Sequence, residues 1–550
     1  MQITYGSISK TPLSPDEILS LLLKQRHISD LDKFIQPDDP TSFSLKKLGF
    51  SKELKILLSL LEAAKKNKKT IVIYTDYDTD GITGGAIMWE TLHHLGFIVY
   101  PYVPHRHSEG YGFSIKGIDS VIEKYHPTLI ISVDHGISAR DQIAYATQRG
   151  VDVVVTDHHT KPELLPESAK ALIHTPLVSG ASLAYITALD IGRHFDPKNT
   201  ELDELFHGDL LALAALGTIA DLVPLVGYAR SIAKSGLVAF SKAKQPGIRE
   251  LLKVAGLTQS VLSTYHAGFA LAPRINAVGR LSHAIEALRM LCTRDPLKAT
   301  YLASQANMYN LTRQKMVEKA VEEALALVNR ERLTPIIVVK NPSWNEGIIG
   351  LISSKLTEKF NRPSIVLTKN NANWKGSARS VKGFDITSFL RSLNLLKHIG
   401  GHPQAAGFSF IDSELDSFIA TVQEKSKDVP SLEKTMYVDL KLPLHSLTEK
   451  TAVLLGQMEP FGMGNPTPLF ASEVIIRDIK TLGKIGKHLK LFVTEKNDTK
   501  TTPFECVYFS PTDEVRDLIK KDKEAIIIFS LEINVWNGRT KLQGKIKTII

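Results

Sequence analysis

Ile71-Val-Ile-Tyr-Thr-Asp76-Tyr-Asp78-Thr-Asp80-Gly81-Ile-Thr83 is the stretch on which the fold of this chain turns. Its apolar, β-branched opening has the composition of a buried strand, which delivers three alternating carboxylates at its carboxyl end. Side chains two apart on extended backbone point the same way, so Asp76 and Asp78 can face one site together. Like charges held close repel, and a hard divalent cation is the usual remedy. Asp-x-Asp-x-Asp-Gly also opens a calcium-binding EF-hand loop. The twelfth position of such a loop needs a bidentate Glu; here it is Ile87, and a strand rather than a helix precedes the acids. An acidic turn capping the next helix accounts for the same residues without a metal.

Outward from this stretch the pattern alternates. A helix over Gly81–His94 is followed by a strand over Phe97–Val103, a helix over Ile115–Tyr125 and a strand over Thr128–Val133 that runs into Asp134. A helix over Arg140–Gln148 then leads to a strand over Val151–Thr156 that ends in Asp157-His158-His159. Strands alternating with helices predict a doubly wound parallel sheet. Ligands of such sheets bind beyond the carboxyl ends of the strands, where Asp76, Asp134 and Asp157 all fall. The apolar helix Leu210–Ala220 runs directly into another acid, Asp221.

Upstream, residues 1–50 hold one amphipathic helix, Asp16–Gln25, then a polar segment anchored by Phe34 and Phe43. Downstream, helical periodicity over 282–330 predicts a connector, with Leu302, Met308, Val317, Val321 and Leu325 as packing residues. Alternation resumes with the strand Pro335–Val339, the helix Gly347–Phe360 and the strand Ser364–Thr368, a second and smaller α/β domain. The final part changes to short strands, Val474–Ile479, Leu489–Val493, Ala525–Ile533 and Lys541–Ile549, as in a small barrel or sandwich. The expected divisions are 1–50, 51–281, 282–330, 331–430 and 431–550.

Bulk composition agrees with several domains. At 550 residues the chain exceeds one hydrophobic core, and 43% hydrophobic with 23% charged residues is ordinary for a globular protein. No apolar run is long enough to span a bilayer, and the first residues lack the pattern of a signal peptide. Two distant cysteines, Cys292 and Cys506, suit a reducing cytoplasm and exclude a cysteine-built metal site. The net charge of +9 (67 basic minus 58 acidic) is compatible with a polyanionic partner but names none.

Imidazole is the commonest transition-metal ligand, and His158 and His159 stand at a strand end beside carboxylates. With Asp76, Asp78, Asp134, Asp157 and Asp221 at the same sheet edge, the donors exceed what one cation needs. Two ions sharing a bridging carboxylate are the economical reading, and paired metals fit phosphoryl chemistry.

The motifs now become specific. Asp76-Tyr-Asp78-Thr-Asp80-Gly81, Pro104-His-Arg106-His-Ser-Glu109-Gly-Tyr-Gly112, Val133-Asp134-His-Gly136, Asp157-His158-His159 and Gly217-Thr-Ile-Ala-Asp221-Leu-Val-Pro224 resemble successive motifs of the DHH phosphoesterase superfamily. Arg274-Ile-Asn276-Ala-Val-Gly-Arg280, Gly376-Ser377-Ala-Arg379-Ser, and Gly401-His402 with Ala405-Ala-Gly407 narrow the resemblance to its bacterial single-strand-specific 5′→3′ DNA exonucleases. The match covers nearly the whole chain.

The resemblance implies that Asp76, Asp78, Asp134, His158 and Asp221 hold two manganese or magnesium ions, with Asp134 bridging. It implies that Asp80 supports the site and His159 meets the scissile phosphate. On the second domain Ser377, Arg379 and His402 would hold the terminal phosphate, Arg274, Asn276 and Arg280 would line the strand's path, and Arg106 is a further guanidinium suited to phosphate oxygens. Where the family often has His after Trp344, this chain has Asn345, which is assigned no role.

The C-terminal part resembles the family's OB-fold, with single-stranded DNA as the partner. Seven basic residues between Ile476 and Thr502, among them Lys484, Lys487 and Lys490, face three acids, and Phe492, Tyr508, Phe509 and Trp536 are candidate stacking platforms. A single-strand-binding protein and a RecQ-type helicase are further partners implied by the family alone. The expected activity is release of 5′-mononucleotides from single-stranded DNA in repair and recombination. A phosphodiesterase of short or cyclic oligonucleotides and a catalytically silent strand-binding scaffold are the alternatives.

Overall fold

The computed structural model of the chain describes all residues except Met1, 107–108, 110–111, 258–261, 329–332, 430–432, 484–485, 497–502 and 537–538. Its first sheet is parallel throughout and contains β2 (Ile71–Thr75), β3 (Val99–Tyr102), β4 (Leu129–Val133), β5 (Asp152–Asp157) and β6 (Ala171–His174), in the order β3-β2-β4-β5-β6. Every residue of β2 and β4 is buried, because helices cover both faces. The two-residue period sorts the side chains. Ile71, Ile73, Ile131 and Val133 join the core on one face, and Val72, Tyr74, Ile130 and Val155 join the core on the other.

Four helices matter to the site. The first, α2 (Thr79–His94), starts two residues earlier than its apolar pattern suggests, because Asp78 caps it. Two more, α5 (Gly180–Phe195) and α6 (Asp209–Ala220), are almost entirely buried, so their small and apolar residues show no polar face. The fourth, α7 (Gly227–Ala239), follows a turn that begins at Asp221.

A 32-residue helix, α10 (Pro296–Leu327), is the expected connector, about 48 Å long at 1.5 Å per residue. Its first half buries Leu302, Ala303 and Ala306 against the first domain, and its second half buries Ala320 and Ala324 against the second. Val317, Val321 and Leu325 are half-buried there, as expected. Met308 is exposed instead. Six residues past Leu302, it is turned about 240° away from the packed face.

The second domain holds a mixed sheet in the order β10-β11-β9-β8-β7. Its strands are β7 (Ile337–Lys340), β8 (Ser364–Asn370), β9 (Asn373–Arg379), β10 (His398–His402) and β11 (Ala405–Ile411), and only β7 and β8 run parallel. Helix α11 (Ile349–Phe360) packs on it.

In the C-terminal region β13 (Phe470–Leu482), β14 (His488–Thr494), β15 (Phe504–Tyr508), β16 (Glu524–Trp536) and β17 (Arg539–Ile549) pair in a ring. The pairings run β13–β14–β15–β17–β16 and back to β13. The opening segment, expected to stand apart, is divided between two cores. Strand β1 (Gln2–Ile8) runs parallel to β12 (Thr435–Lys441) on this C-terminal sheet, and Phe34 joins its core. Phe43 and Leu45 instead enter the core of the first domain.

Candidate metal centre and nucleic-acid cleft

The turn after β2 serves two purposes. One oxygen of Asp78, Oδ1, accepts from the backbone N–H groups of Asp80 (3.0 Å) and Gly81 (3.1 Å), so the capping reading is correct. Asp78 nevertheless still brings a carboxylate oxygen within 4.8 Å of ligand atoms on Asp76 and Asp134, so the metal reading stands beside it. Gly81 is required here, since a Cβ would sit 2.7 Å from the Asp76 carbonyl oxygen.

Asp134 follows β4 with φ of +67°, a region that Asp tolerates better than most residues. A Cβ on Gly180, at the start of α5, would lie 2.5 Å from Asp134 Oδ1, so that glycine keeps open the space in front of the carboxylate. His158 Nε2 approaches Asp134 Oδ1 at 3.0 Å, Asp221 Oδ2 at 3.5 Å and Asp80 Oδ2 at 3.7 Å. Asp221 caps the end of α6. Three overlapping donor groups result: Asp76, Asp78 and Asp134; Asp134, His158 and His159; Asp80, His158 and Asp221.

These donors suit cations. Asp76 Oδ1, Asp134 Oδ1 and His158 Nε2 are buried and lack a hydrogen-bond partner among the described residues. Buried polar atoms are normally satisfied, so three orphans aimed at one space point to an ion. Burial, then the neighbouring carboxylates, push Asp76, Asp78 and Asp134 above the usual carboxylate range and Asp221 up to about 8. Burial likewise holds His158 low, in the neutral form that ligates metals. Oxygen-rich donors with one or two imidazoles fit manganese or magnesium.

Asp80 and Asp157 behave differently from the rest. Asp80 accepts from the backbone N–H groups of Gly180 (2.7 Å) and Ala181 (3.0 Å), fastening the first turn of α5 to the site. Asp157 is absent from all three donor groups. It accepts from the N–H groups of Ile137, His158 and His159, and its Oδ1 lies 2.8 Å from His159 Nδ1. Burial disfavours a charged His159, but the Asp157 hydrogen bond and charge outweigh it and push the imidazole up to about 9. The fifth carboxylate therefore orients a histidine.

Beside this cluster lies a cavity of about 860 Å³ between the first and second domains. Tyr77, between Asp76 and Asp78, lines it, and Arg106 lies 4.9 Å over the Tyr77 ring. Arg280 reaches the same cavity while donating to Gly347 O at 2.7 Å. On β9, Ser377 and Arg379 face the cavity, and Arg379 donates to Ser377 Oγ at 3.3 Å and Ala378 O at 2.9 Å. Arg106, Arg280, Ser377 and Arg379 thus line one cavity, Arg280 apart from Arg274 and Asn276, with which the resemblance grouped it.

Three expected members do not line it. His402, at the tip of the β10–β11 hairpin, is exposed and off the cavity wall. Arg274 spends its guanidinium on Asn307 Oδ1, Ala270 O and Val254 O, which braces the helices around it. Asn276 Oδ1 accepts from Thr79 N at 2.8 Å and steadies the start of α2. Sequence reasoning missed Lys375 and His398, which do line the cavity. Lys375 could have been found from its two-residue alternation with Ser377 and Arg379. His398 joins it because both pair with Ser409, a relation no local pattern reveals.

A second cleft, about 1,020 Å³, separates the first domain from the C-terminal ring. Tyr265 and Phe269 stack on each other there, centroids 5.2 Å apart, on a π-helical turn (His266–Leu271). Both are exposed, and the spacing of the aromatic pair was the overlooked signal. Across the cleft Lys545 lies over Phe509 at 5.3 Å. Lys487 is exposed, whereas Lys490 is paired with Glu505 at 2.7 Å. Phe492 lies beneath Lys480 and Lys490, and Tyr508 belongs to the ring's core while also lining the cleft. Lys484 and the Trp536 side chain lie outside the described residues.

Residues 70–218 match the N-terminal domain of the DHH family, 333–428 the DHHA1 domain and 438–548 the RecJ OB domain. Over 504 residues the chain is 34% identical to the single-stranded-DNA-specific exonuclease RecJ of Bacillus subtilis, covering 90% of this chain and 63% of that one. It is 30% identical to the protein of that name from Haemophilus influenzae, covering 98% of this chain and 96% of the other. It thus spans less than two thirds of the Bacillus relative and nearly all of the Haemophilus one. The crystal structure of Thermus thermophilus RecJ with Mn2+ superposes with a TM-score of 0.83 at 26% identity, over 100% of this chain and 80% of that one. The Mg2+ complex gives 0.77 at 25% identity, over 100% and 78%.

Proposed function

The chain belongs to the RecJ family of single-stranded-DNA-specific exonucleases, and on that footing we propose that it removes 5′-mononucleotides one at a time from the 5′ end of single-stranded DNA. The observation that carries this reading is a shared wall. Tyr77 sits between two acids of the donor cluster and also lines the cationic cavity, so end recognition and hydrolysis are neighbours.

Two divalent cations held by Asp76, Asp78, Asp134, His158 and Asp221 would supply positive charge to the phosphodiester and lower the pKa of an attacking water. Asp134 and His158 each belong to two of the three donor groups and would join the two halves of the centre. Asp80 keeps α5 and the cluster in register. Asp157 holds His159 through Nδ1 and fixes its ring beside the cluster, where His159 would meet a phosphate oxygen. Arg106, Arg280, Arg379 and Ser377 would grip the terminal 5′-phosphate, since planar guanidinium groups match its oxygens. Hydrolysis breaks the bond from phosphorus to the 3′-oxygen of the terminal nucleotide. The attacked phosphate stays on the remaining strand, so each cut leaves a new 5′-phosphate for the same pocket.

Behind the cluster the strand would run along the second cleft, its bases on Tyr265 and Phe269 and its phosphates near Lys545 and Lys547. Both cysteines are free, which suits the reducing, cytoplasmic setting that belongs to this reading. A single-strand-binding protein and a RecQ-type helicase are partners on family grounds, to be checked by co-purification. The activity is checked with Mn2+ and 5′- or 3′-labelled single strands, a duplex and a dinucleotide. Early release of labelled mononucleotide from the 5′-labelled single strand and not from the 3′-labelled one or the duplex, with the dinucleotide also cut, is the expected result. Release from the 3′ label first would overturn the polarity.

A further inference from the structure

Leu222 follows the cluster residue Asp221 directly, and its backbone sits at φ of +61°. That left-handed region suits glycine or asparagine, and leucine carries a steric penalty there. The side chain gains no burial in return, being 65% exposed at the wall of the second cleft. The turn is held from both sides. Asp221 N donates to Gly217 O at 2.9 Å, and Leu225 N donates to Met463 O of the C-terminal region at 2.7 Å. A structural turn alone would be served better by glycine, so the exposed isobutyl group needs another reason.

Its surroundings supply one. The turn of Tyr265 and Phe269 adjoins the end of α6, since a Cβ on Gly268 would lie 3.8 Å from Ile219 Cγ2. Leu222 therefore lies at the seam between the donor cluster and an aromatic stack open to the cleft. Bases resting on that stack form a column, yet the nucleotide being cut must leave the column to reach Asp221. We propose that Leu222 is a wedge that breaks the base stack between the terminal nucleotide and the one behind it. The proposal rests on the exonuclease reading above and adds a positioning residue to it. Apolar side chains that insert between base steps do so by direct replacement of stacking contacts.

The test compares single-turnover cleavage of dA12 and dT12, both 5′-phosphorylated, by the full-length chain with Mn2+. Adenines stack strongly and thymines weakly, so a wedge matters for the first and hardly for the second. Leu222→Ala, which keeps the strained turn, and Leu222→Gly, which relieves it, are both expected to cut dA12 about tenfold more slowly than the wild type. Both should stay within about twofold of it on dT12, and Leu222→Met should restore the dA12 rate. Equal slowing on the two strands, as from a disturbed turn, would overturn the wedge, as would unchanged cutting of dA12. A wild-type protein that cuts neither strand would remove the exonuclease reading itself, a result distinct from either.

Discussion

The guanidinium of Arg230 lies over the ring of Phe34, its carbon 3.6 Å from the ring centroid. Arg230 is 1% exposed and makes no ion pair among the described residues; it donates instead to the carbonyls of Phe34, Met458, Glu459 and Pro460. Burial lowers its pKa to about 10, so it stays charged at neutral pH. One cation on α7 thus ties the opening segment and the C-terminal loop to the first domain. Arg230→Met fills much of the space but strands four carbonyls, and should cost about 3 kcal/mol. Urea unfolding checks the magnitude, and hydrogen exchange should show faster opening of the loop from Met458 to Pro466.

Asp134 sits in a cluster that repels itself. Asp134→Asn removes one negative charge and should raise the melting temperature of the metal-free protein by a few degrees. The same change should abolish both hydrolysis and the stabilisation that Mn2+ gives the wild type. Differential scanning calorimetry with and without Mn2+ reads both effects. A metal-free melting temperature that falls would contradict the frustrated-carboxylate account.

Arg379 reads the strand's end in this scheme. Arg379→Ala should lose about 1.5–3 kcal/mol of transition-state binding on 5′-phosphorylated ends, roughly ten- to a hundredfold in kcat/KM. Matched 5′-hydroxyl strands should fall much less. If both fall by the same factor, Arg379 is not the residue that recognises the phosphate, and Arg106 or Arg280 takes its place.

In the same scheme Tyr265 and Phe269 would hold bases behind the cut. Replacing both by Ala should weaken binding of a long single strand by about 1–3 kcal/mol per base released. Cleavage of a dinucleotide, too short to reach the platform, should be unchanged. Fluorescence anisotropy and product analysis separate the two, and equal loss on both substrates would place the pair elsewhere in the mechanism.

Much of this protein is local, and what is local could be read from the chain. The run from Ile71 to Thr75 must be a covered strand, because no other element hides five consecutive apolar or β-branched residues so simply. Carboxylates at strand ends then converge, because parallel strands end at one edge. Asp76, Asp78, Asp134 and His158 meet for that reason, and Asp221 joins them from the end of α6. The order of the three folded regions was likewise legible from changes in period.

Packing decided the rest. Gln2 pairs with Thr435, more than four hundred residues away, and nothing near either residue announces it. Asp80 and Asp157 carry the same side chain as the cluster residues, yet one fastens a helix and the other turns a histidine. Arg274 and Arg379 are equally arginines in short motifs, but neighbouring helices consume the first and an open cavity receives the second. Periodicity fixes which face a side chain takes on its own element. Which polar atoms it then meets depends on elements hundreds of residues away, and only the tertiary structure chooses those.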